Sequence, residues 1–373
     1  MSVLFTPYTL PSPRGGLVLS NRWWVAPMCQ YSAQNGCATD WHGYHWANLL
    51  NAGAGMVVLE ATAVEASGRI SPGCLGLWDD TTEAALRQHL HRARALAPAA
   101  AVCVQLSHAG RKASSAAPWD GGALLSPEQG GWPTQAPSAL PHLPDEAPPS
   151  EMSDEDLDRI EAAFVQAAQR SARLGLEAIE LHAAHGYLLH QFLSPLSNQR
   201  RDRWGGDWAG RTAYPTRLFQ AMRRVFDGSL GVRVSATDWV DGGWSVDDTC
   251  RWAHTLREAG ADFIHVSSGG ISPLQKIPVG PLYQVHLARA VRAASGLPTV
   301  AVGLITQAEQ AEQVLQQGDA DLVALARGVL YDPRWGWHAA AALGDSVQAQ
   351  TQYWRCAPRE AGAVFRHARI GMR

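Results

Sequence analysis

Val25-Ala26-Pro27-Met28-Cys29-Gln30-Tyr31-Ser32 is a short apolar run that meets a proline and then turns polar. The residues just after the run decide between two folds. An open, doubly wound nucleotide-binding sheet carries Gly-x-Gly-x-x-Gly after its first strand, so that backbone can approach a pyrophosphate closely. Cys29-Gln30-Tyr31-Ser32 stands there instead. Beyond the first run, residues 25–28, seven more β-rich apolar runs occur at 55–59, 100–106, 178–182, 231–236, 263–267, 299–302 and 322–326. Helical signals separate them. Ser153 with Asp156 opens a helix through Leu157, Ile160, Phe164 and Ala167 that Gly175 closes. Ser245 with Asp248 opens one that Gly260 ends, and Thr306 with Glu309 opens one that Gly318 ends. Eight strands too far apart for hairpins pair in parallel through crossovers, and eight such units close into a barrel. The expected fold class is α/β, a (β/α)8 TIM barrel formed by one domain over residues 1–373.

Two stretches exceed the minimal barrel. Residues 107–150 form a Pro/Gly-rich segment, dense from about His108 to Ser150, on the side where such barrels build active sites; a lid is expected. Residues 344–373 come after the last expected helix, near Trp335 to Leu343, and carry Tyr353-Trp354-Arg355. An arm with aromatics at its centre is expected to dock.

Composition removes several function classes. Apolar residues make up 46% of the 373 and charged residues 17%, so a large core is available and global disorder is excluded. A net charge of −3, from 31 Lys and Arg against 34 Asp and Glu, gives no surplus for nucleic acid or an anionic membrane. The opening residues show no secretion pattern and no window approaches ~18 apolar residues, so a soluble cytoplasmic protein is expected. The six cysteines are scattered and read as reduced thiols. Several of the 15 tryptophans cluster early in the chain (Trp23, Trp24, Trp41, Trp46), where core packing is the default.

Catalytic groups of such barrels sit at strand ends. His182 and His185, three residues apart after the fourth run, can aim two N–H donors at one oxygen. A zinc pair and two satisfied core histidines are the other readings; zinc needs a third ligand, and His108 is the only evident one. Tyr187 is a phenol that can protonate a carbon or oxygen in the same pocket. Arg233 lies inside an apolar strand and needs an anionic partner, either a ligand or a structural carboxylate. Gln105 can read the edge of a ring bearing donors and acceptors. Gly303 and Ala326-Arg327-Gly328 come after runs seven and eight, where barrels commonly bind phosphate. Cys29 has no evident base, and a small buried apolar role is its alternative.

Together these residues resemble the old yellow enzyme family of FMN-dependent ene-reductases, and its xenobiotic-reductase-like subgroup. The likeness runs in order through Leu4-Phe5-Thr6-Pro7, Ala26-Pro27-Met28-Cys29-Gln30-Tyr31-Ser32, Glu60-Ala61-Thr62, Gln105 with His108-Ala109-Gly110-Arg111-Lys112, Glu180-Leu181-His182-Ala183-Ala184-His185-Gly186-Tyr187, Phe192-Leu193-Ser194-Pro195 and Ala301-Val302-Gly303. The resemblance implies that Ala26, Pro27, Met28, Cys29, Ala61, Gln105, Arg233, Gly303, Ala326 and Arg327 hold FMN. It implies that NADPH or NADH is the reductant, and that His182 and His185 bind the oxygen of an activated alkene while Tyr187 protonates its α carbon. By the same resemblance Tyr31 would line that pocket, Cys29 would tune the flavin, and Arg355 would reach into a neighbouring subunit, which implies a homodimer or a dimer of dimers. No metal is expected. The alternative is a metal-dependent hydrolase on the same barrel, with His108, His182 and His185 as ligands. Departures from the family pattern fall at Arg200-Arg201-Asp202-Arg203-Trp204-Gly205-Gly206-Asp207, at Gly210 before Arg211, and at Ala326, where the family has glycine. Ala326 keeps its backbone N–H, so phosphate binding is expected to survive.

Overall fold

Eight parallel strands close on themselves in the computed structural model, which describes residues 2–97, 100–369 and 371. They are β1 (Trp23–Val25), β2 (Met56–Ala63), β3 (Ala101–Ser107), β4 (Ala178–Ala183), β5 (Ser229–Ser235), β6 (Phe263–Ser267), β7 (Thr299–Val302) and β8 (Leu322–Leu325). Each pairs with its sequence neighbours, and β8 pairs with β1. The helices outside are α1 (Asp40–Leu50), α2 (Asp80–Leu96), α3 (Asp154–Arg173), α4 (Trp208–Arg223), α5 (Val246–Glu258), α6 (Val285–Ser295), α7 (Ala308–Gln316) and α8 (Trp335–Ala342). The expected barrel is the observed one.

Three boundaries differ from the reading of the sequence. The second run ends at Leu59, yet its strand continues past a bulge to Ala63, so Glu60, Ala61 and Thr62 lie within the strand and not after it. The first strand is Trp23–Val25, so Ala26, Pro27 and Met28 lie in the loop after it. Pro27 has no N–H to donate to a sheet, and the Ala26 N–H makes its bond to Leu325 O at 2.8 Å as the strand ends. The helix expected to open at Thr306 starts at Ala308 with Gln307 as its cap. The Gln310 side chain takes the N–H groups of both Thr306 and Gln307, at 3.0 and 3.2 Å, and so displaces the Thr306–Glu309 pairing. Capping by Ser153 and Ser245 occurs as expected.

Alternate residues of a strand face opposite sides, and along this barrel the inward face changes character with height. The lower layers are apolar: Trp24, Met56, Val58, Cys103, Ala178, Phe263, Val300, Leu322 and Ala324 pack with Leu10 and Leu19 of an antiparallel hairpin (Tyr8–Leu10 with Leu17–Leu19). Trp24 meets Phe263 edge to face at 5.2 Å. Trp23 faces outward, fully buried, against Trp335 of α8. The two tryptophans are therefore core residues of opposite layers. Two residues higher on β3 to β6, the inward face turns polar, with Gln105, Glu180, Arg233 and His265. This upper layer is the floor of the candidate site.

Residues 108–153 join β3 to α3 through three 3-10 turns and a short parallel pairing of Gln135–Ala136 with Ser150–Glu151. Trp132 of this segment donates its indole N–H to Ser67 O at 2.8 Å. Near its base, Glu65 accepts from His108 Nε2 at 3.1 Å and also pairs with Arg159. Burial pushes the Glu65 carboxyl up, but its bonds to His108, Ser67 and Arg159 outweigh this and hold it at about 2. A carboxylate depressed from ~4.3 contributes stability above that value, and the contribution fades as pH falls toward about 2. Glu65→Gln is expected to lower stability at pH 7 by about 1–2 kcal/mol, given partial solvent screening. Thermal melts of both proteins from pH 7 to pH 3 test this. The gap should narrow below pH ~4; a constant gap would contradict the assignment.

The chain after α8 docks on that helix. Trp337 meets Tyr353 and Phe365 edge to face at 5.4 and 5.0 Å.

Candidate active site

β4 carries Glu180 and His182 on its inward face, and the chain then turns through His185-Gly186 to Tyr187. His182 is buried, and its Nδ1 accepts the Ala184 N–H at 3.2 Å. That bond fixes the tautomer with N–H on Nε2. Burial, and next the Arg233 cation, hold the imidazole well below its ordinary value, so it is neutral at pH 7 and donates. His185 has φ of 58° and is depressed for the same two reasons. Its backbone N–H donates to Ser235 Oγ at 2.9 Å, and its Nε2 lies 2.8 Å from Ser267 Oγ. The two imidazoles meet edge to face at 5.2 Å, and the Tyr187 ring lies 4.9 Å from His182. Burial, with the Cys29 and Tyr31 side chains near, raises the Tyr187 phenol well above its usual value. It is a protonated donor at neutral pH.

Below them a charged layer crosses the barrel. Gln105 Nε2 donates to Glu180 Oε1 at 2.6 Å, and Glu180 Oε2 is 2.7 Å from His265 Nδ1. Burial would raise the Glu180 carboxyl, but His265 and Arg233 together keep it below the ordinary range, so it is ionised. Burial lowers His265, whose Nδ1 therefore donates as a neutral imidazole. Arg233 is buried, forms no ion pair among the described residues, and its Nε has no hydrogen-bond partner. Glu180, on the neighbouring strand β4, balances its charge without forming an ion pair with it. An unpaired buried guanidinium is costly unless something else occupies its donors.

Beside Arg233 opens a cavity of about 170 Å³ lined by Ser267, Tyr283, Gly303, Ala326, Arg327 and Gly328. Gly303 has φ of 117°, and a Cβ there would lie 2.4 Å from Gln284 Nε2. Gln284 holds the loop by donating to Val302 O at 2.7 Å and accepting from Ser268 Oγ at 2.6 Å. A bare backbone, an arginine and an orphaned guanidinium fit a flat, phosphate-bearing cofactor.

The loop after β1 closes another side. Glu60 sits where β2 shifts register against β3, between Leu59 and Ala61, and the bulge turns its carboxylate to accept the Gln30 N–H at 2.8 Å. Burial, and then Cys74 and Glu60, push the Cys29 thiol well above its ordinary value, so it is no nucleophile at pH 7. Tyr31, with φ of 51°, meets Trp119 of the 108–153 segment edge to face at 5.5 Å.

Two expected residues stand apart from this constellation. His108 donates from Nε2 to Glu65, and its Nδ1 accepts the Gly110 N–H at 3.0 Å, so neither nitrogen is open to a metal shared with His182 and His185. Among the described residues no group of three or more His, Cys, Asp or Glu is placed to hold a metal ion. The hydrolase reading is not favoured. Arg355 lies exposed on a 3-10 turn of the docked arm and makes no side-chain bond within its own chain among the described residues.

Reading the sequence for candidates missed the Glu180–His265 pair and Lys112. The first was available from alternation, because Ala178-x-Glu180-x-His182 and Phe263-x-His265-x-Ser267 place both groups on the inward face. Lys112 Nζ donates to His185 O at 2.9 Å and Gly270 O at 3.2 Å, and lies 5.2 Å from the Tyr187 ring centre. Burial lowers its ammonium to about 8. No sequence signal joins residues 73 and 158 positions apart.

Comparison with known proteins agrees with this geometry. The family described as NADH:flavin oxidoreductase / NADH oxidase matches residues 3–345. An NADPH dehydrogenase of Listeria innocua serovar 6a is 41% identical, over 95% of this chain and 99% of its own. One from Geobacillus thermodenitrificans is 40% identical, over 95% and 98%. Morphinone reductase in complex with tetrahydroNAD shares the fold with a TM-score of 0.74 at 24% identity, over 93% of this chain and 92% of its own. No helix among the described residues is long and apolar enough to cross a membrane. The barrel, its orphaned arginine and these likenesses lead to one conclusion: the chain belongs to the NADH:flavin oxidoreductase / NADH oxidase family, the old yellow enzymes, and is an FMN-dependent oxidoreductase that draws on a nicotinamide.

Proposed function

We propose that this enzyme is an ene-reductase that reduces α,β-unsaturated carbonyls or nitroalkenes, with NADPH as the leading reductant and NADH as the second. The observation that carries the reading is the trio of neutral donors at the barrel mouth, His182, His185 and Tyr187, in which the His182 ring centre lies 5.2 Å from that of His185 and 4.9 Å from that of Tyr187. When bound, FMN supplies the hydride chemistry, taking hydride from the nicotinamide and giving it to the alkene's β carbon. Ala26, Pro27, Met28, Cys29, Ala61 and Gln105 would hold its ring, Arg233 would pair with the ring's pyrimidine end, and Gly303, Ala326 and Arg327 would hold the phosphate.

His182 and His185 donate to the substrate's carbonyl or nitro oxygen, where negative charge grows as hydride arrives. Both are neutral imidazoles, and the Nε2–H of His182 is set in advance, so it stabilises that charge with little reorganisation. His185 exchanges its contact with Ser267 Oγ for the substrate oxygen as it donates. Tyr187 gives its phenolic proton to the α carbon, and Tyr31 forms a wall of the same pocket. Segment 107–150 covers the pocket as a lid, with Trp119 meeting Tyr31 at its edge. The whole chain, 1–373, acts as one cytoplasmic FMN-binding domain.

Reduction of 2-cyclohexenone in D2O tests the scheme. One deuterium should enter the product at the α carbon, from a solvent-exchanged Tyr187, and NADPH deuterated at C4 in ordinary water should label the β carbon. No deuterium at the α carbon in D2O would contradict protonation by Tyr187, and no label from the nicotinamide at the β carbon would contradict hydride delivery from it. A likeness to enzymes named for NADPH supports that reductant, and comparison of the two nicotinamides by kcat/KM decides it.

Segment 344–373 would lie at a dimer interface, placing Arg355 over the neighbour's substrate pocket. Arg355→Ala is expected to raise KM for the enone several-fold with kcat little changed, the pattern of lost uniform binding. Unchanged kinetics in a dimer would remove Arg355 from the site.

A further inference from the structure

Between His182 and Tyr187 the chain turns at His185-Gly186 with φ of 58° and 75°, both in the left-handed region. A Cβ at Gly186 would lie 2.1 Å from Gly270 O, so only glycine fits there. Each of the four backbone polar groups of this corner is taken by a side chain. The His185 N–H donates to Ser235 Oγ and its carbonyl accepts from Lys112 Nζ, both at 2.9 Å. The Gly186 N–H donates to His190 Nδ1 at 2.9 Å, and its carbonyl accepts from Gln191 Nε2 at 2.7 Å. His190 is held in turn. Its Nε2 lies 2.8 Å from Asp238 Oδ1, and Asp238 Oδ2 accepts from Ser194 Oγ at 2.6 Å and from the Trp244 N–H at 2.7 Å. Both His190 and Asp238 are fully buried.

Such a network is more than packing needs. A histidine can accept the Gly186 N–H only in the tautomer with its hydrogen on Nε2, and a buried carboxylate facing Nε2 enforces that tautomer. We propose that Asp238 and His190 form a positioning pair for the proton donor: by fixing the acceptor for Gly186 N–H they set the backbone from which Tyr187 reaches the substrate. The inference rests on Tyr187 being that donor. Asp238→Asn keeps size and reverses the logic. With its oxygen turned to the Ser194 and Trp244 donors, the amide presents N–H to His190 Nε2. The hydrogen then moves to Nδ1, where it opposes the Gly186 N–H.

The test uses the full-length, FMN-loaded enzyme and separates its two half-reactions by anaerobic stopped flow, with D238N, Y187F and the double variant. In D238N, reoxidation by 2-cyclohexenone should slow roughly tenfold or more, as a misplaced reacting group does. Reduction by NADPH should keep its wild-type rate, since it needs no proton from Tyr187. The double variant should be no slower than Y187F, because the pair acts through the tyrosine. Amide exchange in the peptide that holds Gly186, measured without substrate, should quicken in D238N and stay unchanged in Y187F. Wild-type reoxidation in Y187F would overturn the proton-donor reading itself. Slow Y187F beside wild-type reoxidation in D238N, or a double variant slower than Y187F, would overturn the positioning pair alone. Where D238N does not fold, His190→Leu and His190→Asn serve. The leucine variant should show the same selective slowing, and the asparagine variant, whose amide oxygen can take the Gly186 N–H, should recover most of the rate. Equal rates in those two variants would also overturn the pair.

Discussion

His182→Ala is expected to slow enone reduction by roughly a hundredfold or more while the purified protein stays yellow, because a preorganised donor to developing oxyanion charge is usually worth ~3 kcal/mol. His182 is the better fixed of the two imidazoles. Its Nδ1 is occupied by the Ala184 N–H, so its Nε2–H cannot be lost to tautomer exchange without breaking a buried bond. Its depressed basicity keeps it neutral at pH 7, so the donor strength should be flat with pH through neutrality. None of the groups that fit the cofactor depends on it, since Arg233, Gly303 and Arg327 reach the cavity from other strands. Steady-state rates with 2-cyclohexenone, read beside flavin absorbance, check both halves of the statement. Near-normal turnover would remove His182 from substrate binding, whereas loss of flavin would reassign it to the cofactor.

Arg233→Ala is expected to do the reverse, stripping FMN from the protein. The guanidinium is buried and its Nε lacks a partner, so the donors await a ligand. A charged hydrogen bond of this kind contributes about 2 kcal/mol, roughly thirtyfold in Kd. The variant also leaves Glu180 with only the neutral His265 and Gln105 beside it, so its carboxyl should rise toward the ordinary range and favour protonation. Arg233→Lys should recover only part of the affinity, because an ammonium cannot present the planar fork of donors. Flavin content after extensive dialysis, and Kd by fluorescence quenching on re-addition of FMN, measure the effect. Full occupancy in the alanine variant would contradict the role.

The barrel was legible because two periods repeat eight times with caps between them, and Ser153–Asp156 and Ser245–Asp248 are local signals that structure leaves in place. The first strand was misplaced because Ala26-Pro27-Met28 is as apolar as a strand, while Trp23 and Trp24 are the residues whose two faces carry the barrel's inner and outer packing. The Thr306 cap failed because Gln310, a residue of equal capping chemistry, lies one position further on. In the site, groups at strand ends were legible by position. The Glu180–His265 pair was legible in principle from alternation, and Lys112 was not, since its contacts cross from the loop after β3 to those after β4 and β6. The charge partner of Arg233 could not be chosen from sequence, because Glu180 sits in the same layer yet balances it without an ion pair.

The most direct measurement is an anaerobic absorption series on the purified protein: first alone, then with NADPH, then with 2-cyclohexenone. Flavin bands near ~450 nm that bleach with the nicotinamide and return with the enone are the expected result, and they would establish the cofactor and both half-reactions together. A flavin that bleaches with NADPH yet stays reduced in the presence of the enone and of a nitroalkene would contradict the ene-reductase account.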